Sequence, residues 1–255
     1  MTTHNIAVLY EAACPLEICQ QLASQLAAPV VDRAQAMQAP AGTFFLTWRE
    51  AALCLVDASS LKKGGLCVDI MPRAGEARCY PAPKDGALAQ AIGRKTKSVV
   101  DATAGWGQDG LALFRMGYKV TFIERSPVMA ALLADGLQRL NAQSWLEKHQ
   151  RSAPTLLQGN AIELLAQLTS PPECIYLDPM FAPKRKKSAL AKKAMQVLHE
   201  IIGQDSDKHA LFAAAWAATS KRVVVKSPDY APALAGKPSE SFAGKLVRYD
   251  VYLKG

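Results

Sequence analysis

Ser98-Val-Val-Asp-Ala-Thr-Ala-Gly-Trp-Gly107 is the stretch from which the fold can be read. A short β-branched run ends in an acid, Asp101, and Gly105 and Gly107 follow within six residues. A run of that length and branching reads as a buried strand. Two glycines just past its end let the chain turn sharply and let another group approach the backbone. Downstream the pattern repeats. Gly107 to Met116 starts a helix, and Lys119 to Glu124 is a second strand. A helix over Pro127–Leu140 follows, with its proline suited to the first turn. Thr155–Gln158, Cys174–Leu177 and Arg222–Lys226 read as further strands, and Ser188–Ile202 and Leu211–Ala218 as helices. Strands alternating with helices predict a parallel sheet covered on both faces. Leu246–Leu253 alternates in polarity and predicts a half-exposed antiparallel edge strand.

Upstream of residue 98 the pattern is different. Ile6–Leu9, Thr43–Thr47, Leu53–Val56 and Leu66–Ile70 read as strands. Pro15 opens a helix with Leu16, Cys19, Leu22, Ala23 and Leu26 on one stripe, which stops near Pro29. Arg73–Asp85, rich in Pro, Gly and charge, reads as a loop, and a boundary falls within 85–97. The expected organisation is a small α/β N-terminal domain (1–90), assisting RNA recognition, and a Rossmann-like domain (91–255).

The composition narrows the function classes. Half of the 255 residues are apolar, enough for a substantial core. No run approaches the ~18 apolar residues of a membrane span, and the start lacks a secretory pattern. The six cysteines show no metal-ligand spacing, so reduced thiols, no metal and a cytoplasmic location are expected. The net charge of +8 is uneven: residues 1–97 hold 10 Lys/Arg against 8 Asp/Glu, and residues 98–255 hold 20 against 14. Six cations fall between Lys184 and Lys193. A nucleic-acid partner fits this distribution.

Ligands of open α/β sheets bind at the carboxyl ends of the strands. Asp101, Gly105 and Gly107 lie at such an end. Gly105-x-Gly107-x-x-Gly110 also satisfies a dinucleotide fingerprint, so an NAD-dependent oxidoreductase is one reading. An acid four residues ahead of the first glycine instead matches the arrangement found in S-adenosylmethionine sites. Glu124 ends the second strand, where a carboxylate can accept from ribose hydroxyls. Asn160, just past the third strand, can reach an adenine edge.

Asp178-Pro179-Met180-Phe181 separates the readings. An exocyclic amine on a nucleobase is a poor nucleophile because its lone pair is delocalised into the ring. A carboxylate at a strand end can accept the amine hydrogens and aim the lone pair. The proline stiffens the turn, and the aromatic ring stacks on the base. This constellation suggests methyl transfer from S-adenosylmethionine to a base nitrogen, with catalytic Asp178, Pro179 and Phe181. Lys184, Arg185, Lys186 and Lys187 follow directly and can contact phosphates. Adenine-N6 methylation and a non-catalytic RNA-binding scaffold are the other readings.

These segments resemble the bacterial 16S ribosomal RNA guanine-N2 methyltransferase family RsmJ. The likeness rests on Val-Val-Asp-Ala-Thr-Ala-Gly (99–105), Glu-Arg-x-Pro-Val (124–128), Ala-Leu-Leu-x-Asp-Gly-Leu (131–137), Tyr-Leu-Asp-Pro-Met-Phe (176–181), Arg-x-Lys-Ser-Ala-Leu (185–190) and Lys-Arg-Val-Val-Val-Lys-x-Pro-Asp-Tyr-Ala-Pro (221–232). It implies a class I methyltransferase fold, S-adenosylmethionine as cofactor, and 16S rRNA or the small ribosomal subunit as partner. It also implies cofactor contacts at Gln108, Asp109, Glu124, Arg125, Asn160, Ala161 and Asp178. The family usually has Arg-Asp at Gln108-Asp109 and paired serines at Asn160-Ala161. Asp109 as a helix cap, and Arg125 paired with a surface acid, are the structural alternatives.

Overall fold

The computed structural model describes residues 6–62, 64–71, 80–179 and 207–255. Five strands come first: β1 (Ile6–Leu9), β2 (Val30–Val31), β3 (Phe44–Arg49), β4 (Ala52–Asp57) and β5 (Leu66–Cys67). Seven follow: β6 (Ser98–Asp101), β7 (Lys119–Glu124), β8 (Thr155–Gln158), β9 (Cys174–Leu177), β10 (Arg222–Pro228), β11 (Glu240–Ala243) and β12 (Val247–Leu253). The described helices are α1 (Leu16–Leu26), α2 (Arg33–Met37), α3 (Gly86–Ile92), α4 (Gln108–Arg115), α5 (Pro127–Asn141), α6 (Ser144–Lys148), α7 (Ala161–Ala166) and α8 (Lys208–Ala218). The helix expected over Ser188–Ile202 lies outside the described residues. None of the described helices is long and apolar enough to cross a membrane.

The chain forms two compact units, and one of them holds residues 6–70 and 127–153. Its sheet has the order β2-β1-β3-β4-β5, with β1 parallel to β2 and β3 and the rest antiparallel. Leu9, Phe45, Cys54, Val56 and Ala36 build its core. Helix α5 comes so close to the segment after β5 that a Cβ on Gly136 would lie 2.5 Å from Val68 Cγ1. Arg139 fixes that approach, donating to the Val68 carbonyl at 2.8 Å while pairing with Asp135.

The other unit holds 71–126, 154–179 and 207–255 of the described residues. Its seven-stranded sheet runs β11-β12-β10-β9-β6-β7-β8. Strands β10, β9, β6, β7 and β8 are mutually parallel, and β12 is antiparallel to both β10 and β11. The chain moves outward from β6 to β7 on one side and joins β9 to β6 on the other. The topological switch point therefore lies between β6 and β9. Period-two alternation divides the side chains between the two faces. Val100, Ala102, Ile123, Ile175, Leu177, Val223 and Val225 pack under α7 and α8. Asp101, Phe122, Glu124, Tyr176 and Lys226 alternate to the opposite face.

Leu246–Leu253 was expected to be the sheet edge. The strand is antiparallel, but it lies inside the sheet, with β11 outside it. Its polar positions are satisfied internally. Asp250 is 1% exposed and accepts from Arg248 Nε at 2.9 Å and Ser241 Oγ at 2.9 Å.

Candidate active site

The turn after β6 is built by backbone geometry. Gly105 (φ 51°) and Gly107 (φ 70°) both take left-handed conformations that side chains disfavour. Gly107 opens α4 and donates its N–H to the Ala104 carbonyl at 2.7 Å. The Glu124 carboxylate ties this turn to β7: Oε2 accepts from the Gly105 N–H and Oε1 from the Ser126 N–H, each at 2.7 Å. Glu124 is 4% exposed, and burial raises its pKa although the Ser126, Gly105 and Arg125 amides oppose that. Three amide donors leave part of the carboxylate's acceptor capacity for a ligand. Between the glycines, Trp106 holds its indole N–H buried, with no hydrogen-bond partner among the described residues.

Asp101 is buried at the end of β6, and its Oδ1 accepts from the Thr103 N–H at 3.2 Å. Burial, and then the nearby Asp109 carboxylate, push its pKa up to about 8. Thr103 Oγ1 in turn accepts the Asp178 N–H at 2.6 Å, linking the turn after β6 to the turn after β9 across the switch point.

Asp178 lies beside Lys226. The parallel register pairs Leu177 with Val225, and one step further along both strands brings these two residues abreast. Lys226 Nζ donates to Asp178 Oδ2 at 2.9 Å and to Asp109 Oδ2 at 2.6 Å. The Tyr176 hydroxyl donates to the same Asp109 oxygen at 2.6 Å. Burial works against the ammonium charge, but Asp178 and Asp109 outweigh it and hold Lys226 above its ordinary pKa. Burial and then the Asp109 charge keep the Tyr176 phenol well above its usual range, so it stays a donor. The Asp178 side chain is 39% exposed and the Asp109 and Lys226 side chains 23% each, so the cluster opens to solvent on the Asp178 side.

The structure thus brings Asp101, Asp109 and Asp178 together, and separately joins Glu124 to Gly105. Asp109 does not cap α4, since its carboxylate faces Tyr176 and Lys226. Pro179 follows directly on Asp178, and Gln108 is exposed at the start of α4. Asn160 caps α7, accepting from the Ile162 N–H at 3.0 Å, and Ala161 is buried behind it. Their neighbour Gly159 donates its N–H to the Glu124 carbonyl at 2.9 Å, which keeps this turn beside the end of β7. Arg125 pairs with Asp207 at 3.5 Å, the surface-acid alternative. Phe181, Lys184, Arg185, Lys186 and Lys187 lie outside the described residues. Lys226 and Tyr176 had no assigned role in the sequence, although a charge closing an apolar strand was a readable signal.

A family described as putative SAM-dependent methyltransferase matches residues 29–254. The ribosomal RNA small subunit methyltransferase J of Tolumonas auensis is 44% identical over 232 residues, covering 89% of this chain and 92% of its own. The protein of the same name from Aeromonas hydrophila is 44% identical over 215 residues, covering 82% and 86%. The crystal structure of a SAM-dependent methyltransferase from Neisseria gonorrhoeae superposes with a TM-score of 0.67 at 26% identity, covering 97% of this chain and 96% of that one.

Proposed function

The chain belongs to the ribosomal RNA small subunit methyltransferase J family of S-adenosylmethionine-dependent enzymes, and from that premise we propose that it methylates the exocyclic N2 of one guanosine in 16S rRNA. The observation that carries this reading is the Asp109–Lys226–Asp178 cluster at the switch point, beside a glycine turn anchored on Glu124. The residues present suit the cofactor. Left-handed glycines admit a ligand to the backbone, and the Trp106 N–H, unpartnered among the described residues, is a buried donor in the same turn. Two carboxylates with an ammonium between them complement a zwitterionic amino-acid group next to a cationic sulfur. In this reading Asp101, Gly105, Gly107, Gln108 and Asp109 surround the methionine end. Glu124 and Arg125 take the ribose, and Asn160 and Ala161 the adenine.

When bound, the cofactor supplies an electrophilic methyl group. Asp178 accepts the N–H of the target amine, draws its lone pair out of conjugation and offsets the positive charge that develops on nitrogen. Lys226 holds one oxygen of that carboxylate, which fixes the direction of the other. Pro179 stiffens the turn, and Phe181 stacks on the base. Orientation of this kind contributes roughly 7–11 kcal/mol in favourable cases. Lys184, Arg185, Lys186 and Lys187 contact phosphates near the target, and residues 1–90 assist RNA recognition.

The test is incubation with S-adenosylmethionine and small subunits lacking the modification, followed by nucleoside mass spectrometry. N2-methylguanosine is the expected product, and N6-methyladenosine would replace the guanine reading by the adenine one. Asp178→Ala should abolish transfer while cofactor binding stays measurable by calorimetry. Wild-type turnover in that variant removes Asp178 from the reaction.

A further inference from the structure

The parallel strands of the larger sheet begin, and β12 ends, on the edge opposite Asp178, and that edge is basic. Lys119 opens β7 and donates its N–H to the carbonyl of Lys97, which precedes β6, at 2.8 Å. Lys254, just past β12, donates its N–H to the carbonyl of Lys221, which precedes β10, at 2.7 Å. Glu173 joins the two pairs, accepting from the Lys97 N–H at 2.6 Å and from Lys221 Nζ at 2.8 Å. These contacts make one continuous row across β7, β6, β9, β10 and β12. A cleft of about 250 Å³ opens onto it, lined by Gly93, Arg94, Lys95, Thr96, Lys221 and Arg222.

Some of this charge is structural. Lys254 Nζ closes the carbonyl end of α8, donating to Trp216 and Thr219, and Arg222 Nη1 donates to the Ala91 carbonyl at 3.1 Å. Other cations on the edge project outward: Arg94, Lys95, Lys97, Lys119 and Lys221 are all exposed. The cleft floor is preset around Arg222. Gly93 (φ 87°) leaves the space its guanidinium needs, since a Cβ there would lie 2.9 Å from Nη1. Among the described residues Arg222 Nε has no hydrogen-bond partner, although it is buried. Like charges gathered on one edge repel one another, and a polyanionic partner relieves that repulsion while gaining counterion release.

We propose that this edge binds the phosphodiester backbone of the RNA substrate, remote from the base that is methylated. The RNA as partner rests on the function proposed above; the basic edge and its cleft do not. From Arg222 to Lys226 is roughly 13 Å along the strand, but the sheet and the helices packed on it fill that line, so one substrate reaches both edges only by passing around the body of this unit, which takes a large, folded molecule. The edge therefore favours assembled or structured RNA over short oligonucleotides.

The full chain carrying Arg94→Ser, Lys95→Ser and Lys119→Ser together tests this. Each lost phosphate contact flattens the dependence of log K on log salt by about 0.7–0.9, so the slope for 16S rRNA should fall by about two. KM for the RNA rises tenfold or more, while kcat, cofactor affinity and the thermal midpoint stay at wild-type values. An unchanged slope with unchanged KM overturns the proposal, as does a loss confined to phosphatidylglycerol vesicles with RNA binding intact. Should the wild-type chain bind rRNA without methylating it, the reaction reading fails, yet a flattened slope in the variant still supports the edge as an RNA contact.

Discussion

Gly110→Ala adds one methyl group at the closest approach of helix to sheet. The new Cβ would lie 2.1 Å from Phe122 Cε1, 2.7 Å from Cζ and 3.0 Å from Asp101 Oδ2. Carbon atoms in contact prefer about 3.5–4.0 Å, so the ring or the helix must move by more than an ångström. Phe122 is 0% exposed, so its ring cannot swing out into solvent and any shift presses on buried neighbours. Overpacking of this kind costs about 1–3 kcal/mol, and a displacement this large belongs at the upper end. The better helix propensity of alanine returns at most about 1 kcal/mol. The net loss is about 2 kcal/mol, which for a chain of this size lowers the thermal midpoint by roughly 4–8 °C. Scanning calorimetry measures it, and Phe122→Leu in the same chain should recover part of the loss by giving the methyl group room. A midpoint equal to or above wild type would refute the close-packing account of this glycine, and with it the explanation of the third glycine of the Gly-x-Gly-x-x-Gly pattern without any dinucleotide.

Asp101→Asn tests the buried carboxyl. Its folded pKa, about 8, stands above the ordinary 3.8, so its contribution to stability is complete below pH 4 and is lost as pH rises to about 8. Urea midpoints of wild type and variant should diverge between pH 5 and 8 in favour of Asn, by up to about 4 kcal/mol at 1.36 kcal/mol per pH unit; parallel curves would mean that Asp101 is ionised throughout. Lys226→Met leaves Asp109 and Asp178 facing each other without a cation. We expect kcat to fall at least tenfold and cofactor affinity to weaken, with Lys226→Arg restoring part of both; wild-type kcat would show that the ammonium does not hold the Asp178 carboxylate in place. Replacing Lys184, Arg185, Lys186 and Lys187 by Ser should flatten the salt dependence of RNA binding by about three, and an unchanged slope would return that run to a solvated face.

The parallel strands were legible nearly to the residue. Lys119–Glu124, Thr155–Gln158 and Cys174–Leu177 match in their bounds; each ends at or just before a polar residue, and the central Cys174–Leu177 is buried throughout while Thr155–Gln158 at the sheet edge is only partly buried. The misses have physical causes. β2 is two residues long and is held by its pairing with β1, not by its own pattern. α3 is Ala-rich and follows a Gly/Pro-rich stretch, so it reads as linker, yet its Ala89, Ala91 and Ile92 are buried. β12 looked like an edge because Arg248 and Asp250 alternate with apolar residues; the two pair with each other, a contact the alternation does not show. At the site, Asp101, Glu124 and Asp178 were visible because each closes a strand. The Lys226 contacts were not, since they join residues 48 and 117 positions apart, the first set by the β9–β10 register and the second by how α4 seats on the sheet.

That register separates two design problems within one fold. Asp178 and Lys226 stand abreast because β9 and β10 run in step, with Cys174 opposite Arg222, and the ladder sets this whatever chain connects the strands. A connection of another length or composition, anchored at the same two strand ends, would return the ammonium to the same carboxylate. The pairing of carboxylate and ammonium is therefore a property of the ladder, and only a change of register between β9 and β10 would part them.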